Sequence, residues 1–151
     1  MRTMMNVETI EKRKQVWTEK LRTNDYRVTA ARQAVIDVLA ASDRAVTPTE
    51  IYDLARQEYE KLGLVTVYRT LEKLEDLDLV MRVHRPDNCY AFIAAFEGHQ
   101  HLLVCERCGR VAYFTGDNID ELVKRVEKES GYTIHDHWLQ FFGICANCKD
   151  Q

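Results

Sequence analysis

Two Cys-x-x-Cys pairs constrain this chain more than any other feature: Cys105-Glu106-Arg107-Cys108, followed by Gly109, and Cys145-Ala146-Asn147-Cys148, followed by Lys149. Two intervening residues let one short turn aim both sulfurs at a common point. Two such turns supply four thiolates, the tetrahedral set that Zn²⁺ prefers, so the pairs predict a structural zinc site. The stretch from Gly109 to Ile144 is longer than in a minimal zinc ribbon and is expected to fold as a unit that returns Cys145 to Cys105. Two disulfides or a thioredoxin-like redox pair are the competing readings. The absence of a signal peptide before the cysteines predicts a reducing cytoplasm, and neither pair opens a helix in a strand-helix-strand pattern; both points favour zinc. Four thiolates around one Zn²⁺ leave two excess negative charges, which Arg107, Arg110 and Lys149 are placed to offset.

Composition locates this chemistry. All five histidines and all five cysteines fall at or after His84, so metal chemistry belongs to the second half of the 151 residues. A net charge of -3 does not advertise a nucleic-acid binder. Divided at Pro86, however, the first part is +1 and the second -4. Phosphate contacts need only a local basic surface, so the overall value does not exclude DNA. No apolar run reaches the length of a membrane span.

From Val7 to Leu21 the apolar Val7, Ile10, Trp17 and Leu21 recur at helical steps among charges, which predicts a surface helix. Thr29 is placed to cap a second helix with the stripe Ala31, Ala34, Val35, Val38 and Leu39. Thr47-Pro48-Thr49-Glu50 reads as a capping box with Pro at the first helical position. Ile51, Leu54, Ala55 and Tyr59 would face a core until Gly63 breaks that helix, and Thr66 to Leu77 form a fourth. Two helices joined by a short Gly-containing turn are the helix-turn-helix pattern. Runs from Leu79 to His84 and from Cys89 to Ala94, separated by Pro86-Asp87-Asn88, predict a hairpin, and helices followed by a hairpin suggest a winged helix. Without a DNA role, the same pattern would be a small helical core with an attached hairpin. Further on, short strands are expected at Leu102–Val104 and Val111–Phe114, a helix at Ile119–Glu129, and a long strand from Tyr132 to Phe142. The domain boundary falls between Pro86 and Gly98.

In this order the motifs make the chain resemble the ferric uptake regulator (Fur) family of metal-dependent repressors from about Tyr26 onward. The carrying pieces are Arg27-Val28-Thr29 with Arg32, Gly63 to Leu71, His99-Gln100-His101 ahead of Cys105, and Gly131-Tyr132 through His137 to Cys145. The resemblance implies an α+β chain: a winged helix-turn-helix DNA-binding domain over residues 1–90, and a small α/β metal-binding and dimerisation domain over 91–151 with the four-cysteine zinc site. It also implies a homodimer on an inverted-repeat DNA operator, with bound metal setting the arrangement of the reading heads. The expected DNA-contacting set is Arg27, Thr29, Arg32, Thr66, Tyr68 and Arg69. Thr66, Tyr68 and Arg69 stand at the head of the helix that would enter the major groove, offering a hydroxyl, a ring able to contact a thymine methyl, and a phosphate or guanine donor. Arg27 and Arg32 would hold the DNA backbone or reach the minor groove.

A closed four-cysteine site is poorly suited to sensing, so regulation calls for a second, weaker site. His99 and His101 are two apart, as are His135 and His137, so in extended chain each pair projects from one face. Leu102, Gln100 and Tyr113 stand where many Fur-like sequences carry two histidines and an acidic residue of the iron-type site. The other family ligand positions are kept as His99, His101, Asp120 and His137. Cys89, near His84 on the connection from the wing, matches the zinc uptake regulator branch, whose sensor includes a thiolate, and a thiolate favours Zn²⁺ over Fe²⁺ or Mn²⁺. His84, Cys89, His99, His101, Asp120 and His137 are therefore the expected regulatory ligands, with a second divalent metal, zinc first, as their ion. The expected function is zinc-responsive repression of metal uptake genes. Iron, manganese or peroxide sensing on the same scaffold is the alternative, and a zinc-containing thiol oxidoreductase is the alternative of another class. No His-Glu-x-x-His and no His-x-Glu paired with Pro-Cys-x-x-Cys is present, so neither a hydrolase nor a deaminase is expected, and no membrane or small-molecule substrate is called for.

Overall fold

Helix-forming patterns in the first half become four helices, α1 (Val7–Thr23), α2 (Ala30–Ala41), α3 (Pro48–Glu58) and α4 (Leu64–Asp76), followed by a hairpin of β1 (Val80–His84) and β2 (Tyr90–Ala94). The computed structural model describes residues 7–149 apart from 88, 97, 99, 117 and 118. The Thr29 side chain accepts the Arg32 amide at the head of α2, and Thr47 and Glu50 close the capping box of α3, with Pro48 just inside the helix. Caps of this kind each contribute about 1 kcal/mol by satisfying amides that have no partner within the helix. Helix α3 ends at Glu58, short of Gly63, because Tyr59 leaves helical geometry, and α4 begins two residues before Thr66. Asp78 takes the left-handed region after α4, and the Leu79 amide reaches back to the Leu74 carbonyl at 2.8 Å. The chain thereby turns from helix into wing.

One core lies between these helices. Leu21, Ile36, Leu39, Ile51, Leu71 and Leu74 are fully buried there, joined by Val80, Phe92 and Ala94 from one face of the hairpin. Removing a side chain of this kind costs about 2–5 kcal/mol. The opposite face of the hairpin points elsewhere. Val83, Ala91 and Ile93 pack with Ala45 and with Leu102, Val104 and Val111 of the second half. The alternation of a two-faced strand thus joins the wing to both cores.

In the second half, β3 (His101–Cys105), β4 (Val111–Phe114) and β5 (Gln140–Gly143) form a sheet in the order β4-β3-β5, with α5 (Asp120–Ser130) between β4 and β5 and a single turn, α6 (Ala146–Lys149), after it. β3 runs antiparallel to β4 and parallel to β5. The expected long strand from Tyr132 is not formed: residues 131–139 have no regular structure, and the strand is confined to Gln140–Gly143. The register explains it. Leu102 pairs with Gln140 and its amide donates to the Leu139 carbonyl at 3.2 Å, so the residues before Leu139 lie beyond the start of β3 at His101. Among the described residues no helix is long and apolar enough to cross a membrane.

Candidate metal centre and nucleic-acid face

Parallel pairing of β3 with β5 brings the ends of both strands to one edge of the sheet, and Cys105 stands opposite Gly143. The first cysteine turn leaves β3 and folds back through the Gly109 amide, which donates to the Cys105 carbonyl at 2.9 Å. The second follows β5 and opens α6. Their four sulfurs all lie within 4.8 Å of one another, and those of Cys108 and Cys145 are 3.7 Å apart. A tetrahedron with metal–sulfur bonds of about 2.3 Å has edges of about 3.8 Å. The cluster can therefore hold a metal ion with little adjustment. Cys105 and Cys148 are buried, and the Arg107 guanidinium donates to the Cys148 carbonyl at 2.7 Å.

The thiols are electrostatically unequal. Burial pushes Cys105 up, but amide hydrogen bonds from Cys145, Cys108 and Arg107 outweigh it and bring the thiol down to about 6. Burial raises Cys108. Cys148 is pushed up to about 12, first by its contact with Cys145 and then by burial. Cys105 is thus shifted down while Cys108 and Cys148 are shifted up, an imbalance that a dication at the centre would remove.

The histidines are arranged more loosely. His101 is buried at the start of β3, and its ring lies 5.2 Å from that of His137, centroid to centroid. His137 belongs to the irregular stretch before β5, as does the exposed His135, so neither projects from a strand. Asp120 is the exposed first residue of α5. His84 ends β1, its ring 5.3 Å from Tyr90 and 5.2 Å from Trp138. Cys89 is exposed and lines a cleft of about 440 Å³ with Tyr68, Arg82 and Tyr90. His99 lies outside the described residues. Among the described residues only the four cysteines converge as three or more ligands.

On the first half, α4 presents its head to solvent. Gly63 supplies no side-chain cap, and Leu64, Val65, Tyr68 and Arg69 are exposed, with Tyr68 48% accessible. Uncapped amides at a helix start attract anions. Thr66 is half-buried, and its carbonyl accepts from the Thr70 hydroxyl at 2.7 Å. Arg27 is exposed, whereas the Arg32 guanidinium folds back onto the Arg27 carbonyl. Thr29 is committed to its cap.

Residues 23–142 match the ferric uptake regulator family. The chain belongs to that family. A peroxide-responsive repressor PerR of Staphylococcus saprophyticus is 28% identical over 145 residues, 96% of this chain and 97% of the relative. The ferric uptake regulation protein of Bacillus subtilis is 31% identical over 135 residues, 87% of this chain and 91% of the relative. A zinc uptake regulator solved with zinc and DNA is similar in fold, with a TM-score of 0.72 at 20% identity over 94% of this chain and 96% of that one. As a Fur-family member the chain is a metal-responsive, DNA-binding transcription regulator and not an enzyme.

Some site features escape a reading of the sequence. Arg82 stacks over Tyr90 at 4.9 Å and pairs with Glu75 at 2.7 Å, which stiffens the wing against α4. Trp138 meets His84 across the two halves, and the Gln140 amide donates to the His84 carbonyl at 2.7 Å. The only sequence signal for the Trp138 contact is an amphipathic residue beside a histidine.

Proposed function

We propose that the chain is a zinc-responsive repressor acting as a homodimer in a reducing cytoplasm, with residues 1–90 as the DNA-reading head and 91–151 as the dimerisation and metal-binding part. The structural ion is zinc, held by Cys105, Cys108, Cys145 and Cys148. The observation that carries the sensing role is the pairing of His101 with His137, two borderline ligands brought together outside the cysteine cluster. His99 and Asp120 complete this regulatory set. His84 and Cys89 stand on the wing side and join the ion when the head closes on it, Cys89 adding the soft ligand that favours zinc. Tyr68 and Arg69, with Thr66, read the major groove, while Arg27 holds phosphate. Thr29 and Arg32 support the start of α2 beneath Arg27.

Large apolar side chains left exposed in the second half support the second copy. No residue of α5 is buried, yet Leu122 and Val126 on it, and Leu103, Phe141 and Phe142 on the sheet, are large and exposed. Such a collection of apolar groups supports self-association. The decisive experiment titrates binding to an inverted-repeat operator with Zn²⁺, Mn²⁺ and Fe²⁺ separately. Zinc is expected to switch binding at the lowest free concentration. A switch by Fe²⁺ or Mn²⁺ that zinc does not reproduce, or one abolished by peroxide, would assign the chain to another branch of the family.

A further inference from the structure

The segment Arg44-Ala45-Val46 joins three parts of the molecule before it enters α3. Val46 and Phe92 exchange both backbone hydrogen bonds, at 2.9 and 2.8 Å, tying the segment to the wing. One residue earlier the Ala45 amide donates to the Gly109 carbonyl at 3.0 Å, and Arg44 bridges to Arg110. Gly109 closes the first cysteine turn in the left-handed region, at φ +71°, and a Cβ there would meet the Ala45 carbonyl oxygen at 3.0 Å. The contact is sealed on both sides. Ala45 is buried in the mixed core, and the Arg44 guanidinium pairs with Glu50 at 2.7 Å, the residue that closes the cap of α3. Backbone, side chain and helix cap therefore meet on the outer edge of the cysteine cluster.

We infer that the four-cysteine turn is the seat of the DNA-reading head: Gly109 is a positioning residue whose carbonyl and missing side chain hold Ala45, and through it the start of α3, against the metal-organised turn. The inference rests on the proposed DNA-binding role for its consequence, but the coupling itself is a property of the fold. The Gly109 carbonyl is held in place by the turn, because the Gly109 amide bonds Cys105 and the Cys105 amide bonds the Arg110 carbonyl at 2.9 Å. Loss of the ion frees that turn and removes the acceptor for Ala45. A site that appears only to staple the second half thus also sets the angle at which the helix-turn-helix is presented.

The test measures amide exchange at Ala45 by NMR on the full-length dimer before and after zinc is stripped with a chelator, and repeats it on zinc-loaded Gly109→Ala. Exchange at Ala45 is expected to accelerate roughly tenfold or more in both cases, the scale of one lost hydrogen bond. Gly131→Ala is the control, since Gly131 has the same left-handed backbone, φ +74°, with nothing within 4 Å of its added Cβ. It should leave Ala45 exchange unchanged. Operator affinity should fall about tenfold in Gly109→Ala at unchanged zinc content. If Ala45 stays protected after zinc is removed, the inference is overturned. Should Gly109→Ala fail to retain zinc, the chelation experiment on the parent decides, with the buried Leu71 and Leu74 amides of α4 as reference: Ala45 exchange that rises while theirs stays slow supports the coupling, and a rise of all three together overturns it. Failure of the parent to bind any operator would instead count against the proposed function while leaving the exchange result to judge the coupling.

Discussion

The cysteine cluster and the proposed histidine site differ in how far the chain itself completes them. The cysteines sit on turns at the ends of neighbouring parallel strands, and their sulfurs are already within 4.8 Å of one another. The histidine group draws on the start of β3, the irregular stretch before β5, the first residue of α5 and the wing. Among its described residues only His101 and His137 are ring to ring. A site made by local turns is completed by folding, whereas one assembled from separate elements is completed only when those elements are brought together. The first kind suits permanence and the second suits a switch, because an ion shifts a population only by its differential affinity for the closed arrangement.

The comparison breaks first at the cysteines. Cys108→Ser should lose most of the zinc and the cooperative unfolding of residues 91–151, since structural zinc binding of about 10–16 kcal/mol is folding free energy. Metal analysis with near-UV circular dichroism checks it. A variant with full zinc and intact tertiary signal would show that the ion is not structural. The next largest effect falls on the switch. His137→Ala should weaken metal-dependent operator binding at least ~tenfold, the lower range for a lost ligand or its support, while the melting temperature of the zinc-loaded protein moves by only a few degrees. If it melts like the Cys108→Ser protein, the contrast between the two groups is lost.

A smaller effect is expected at the reading helix. Tyr68→Ala should flatten base preference at one operator position by about 1–3 kcal/mol, whereas Arg27→Ala should weaken all sequences alike and reduce the salt slope by about 1. Selection from a randomised operator library separates the two. The smallest concerns the seat of α3. Burial raises the Glu50 carboxyl, but hydrogen bonds from Thr47 and the Arg44 guanidinium outweigh it and hold it below the ordinary carboxylate value. A carboxylate depressed in the folded state stabilises above its unfolded pKa, and the contribution disappears as the pH falls through the folded one. Glu50 is partly exposed, so Glu50→Gln should cost no more than about 1 kcal/mol at neutral pH, with the difference from the parent vanishing in acid. Thermal melts across the acid range read it directly.

Legibility followed locality. The caps at Thr29 and Thr47 and the cysteine turns were readable because each is a pattern of adjacent residues acting on their own backbone. The order of motifs was enough to place the chain in its family. What was hidden depends on partners distant in sequence. The alternation after Tyr132 suggested a strand as far as Phe142, but a strand needs a neighbour, and β3 begins only opposite Leu139 and Gln140. The Cys89 side chain, which spacing places near His84, lines the cleft beside Tyr68. Nothing in Arg44-Ala45-Val46 announces that its amides will serve the wing and the cysteine turn at once.

The parallel arrangement of β3 and β5 also imposes a delay. Parallel strands require a crossover, here through β4 and α5, and 40 residues separate Cys105 from Cys145. At a synthesis rate of about 5–20 residues per second, the first cysteine pair emerges roughly 2–8 s before the second. During that interval Cys105 and Cys108 form an incomplete site, open to oxidation or to a softer competing ion. The metal supply at the ribosome, and not only at the operator, therefore bears on how much of this regulator reaches its folded state.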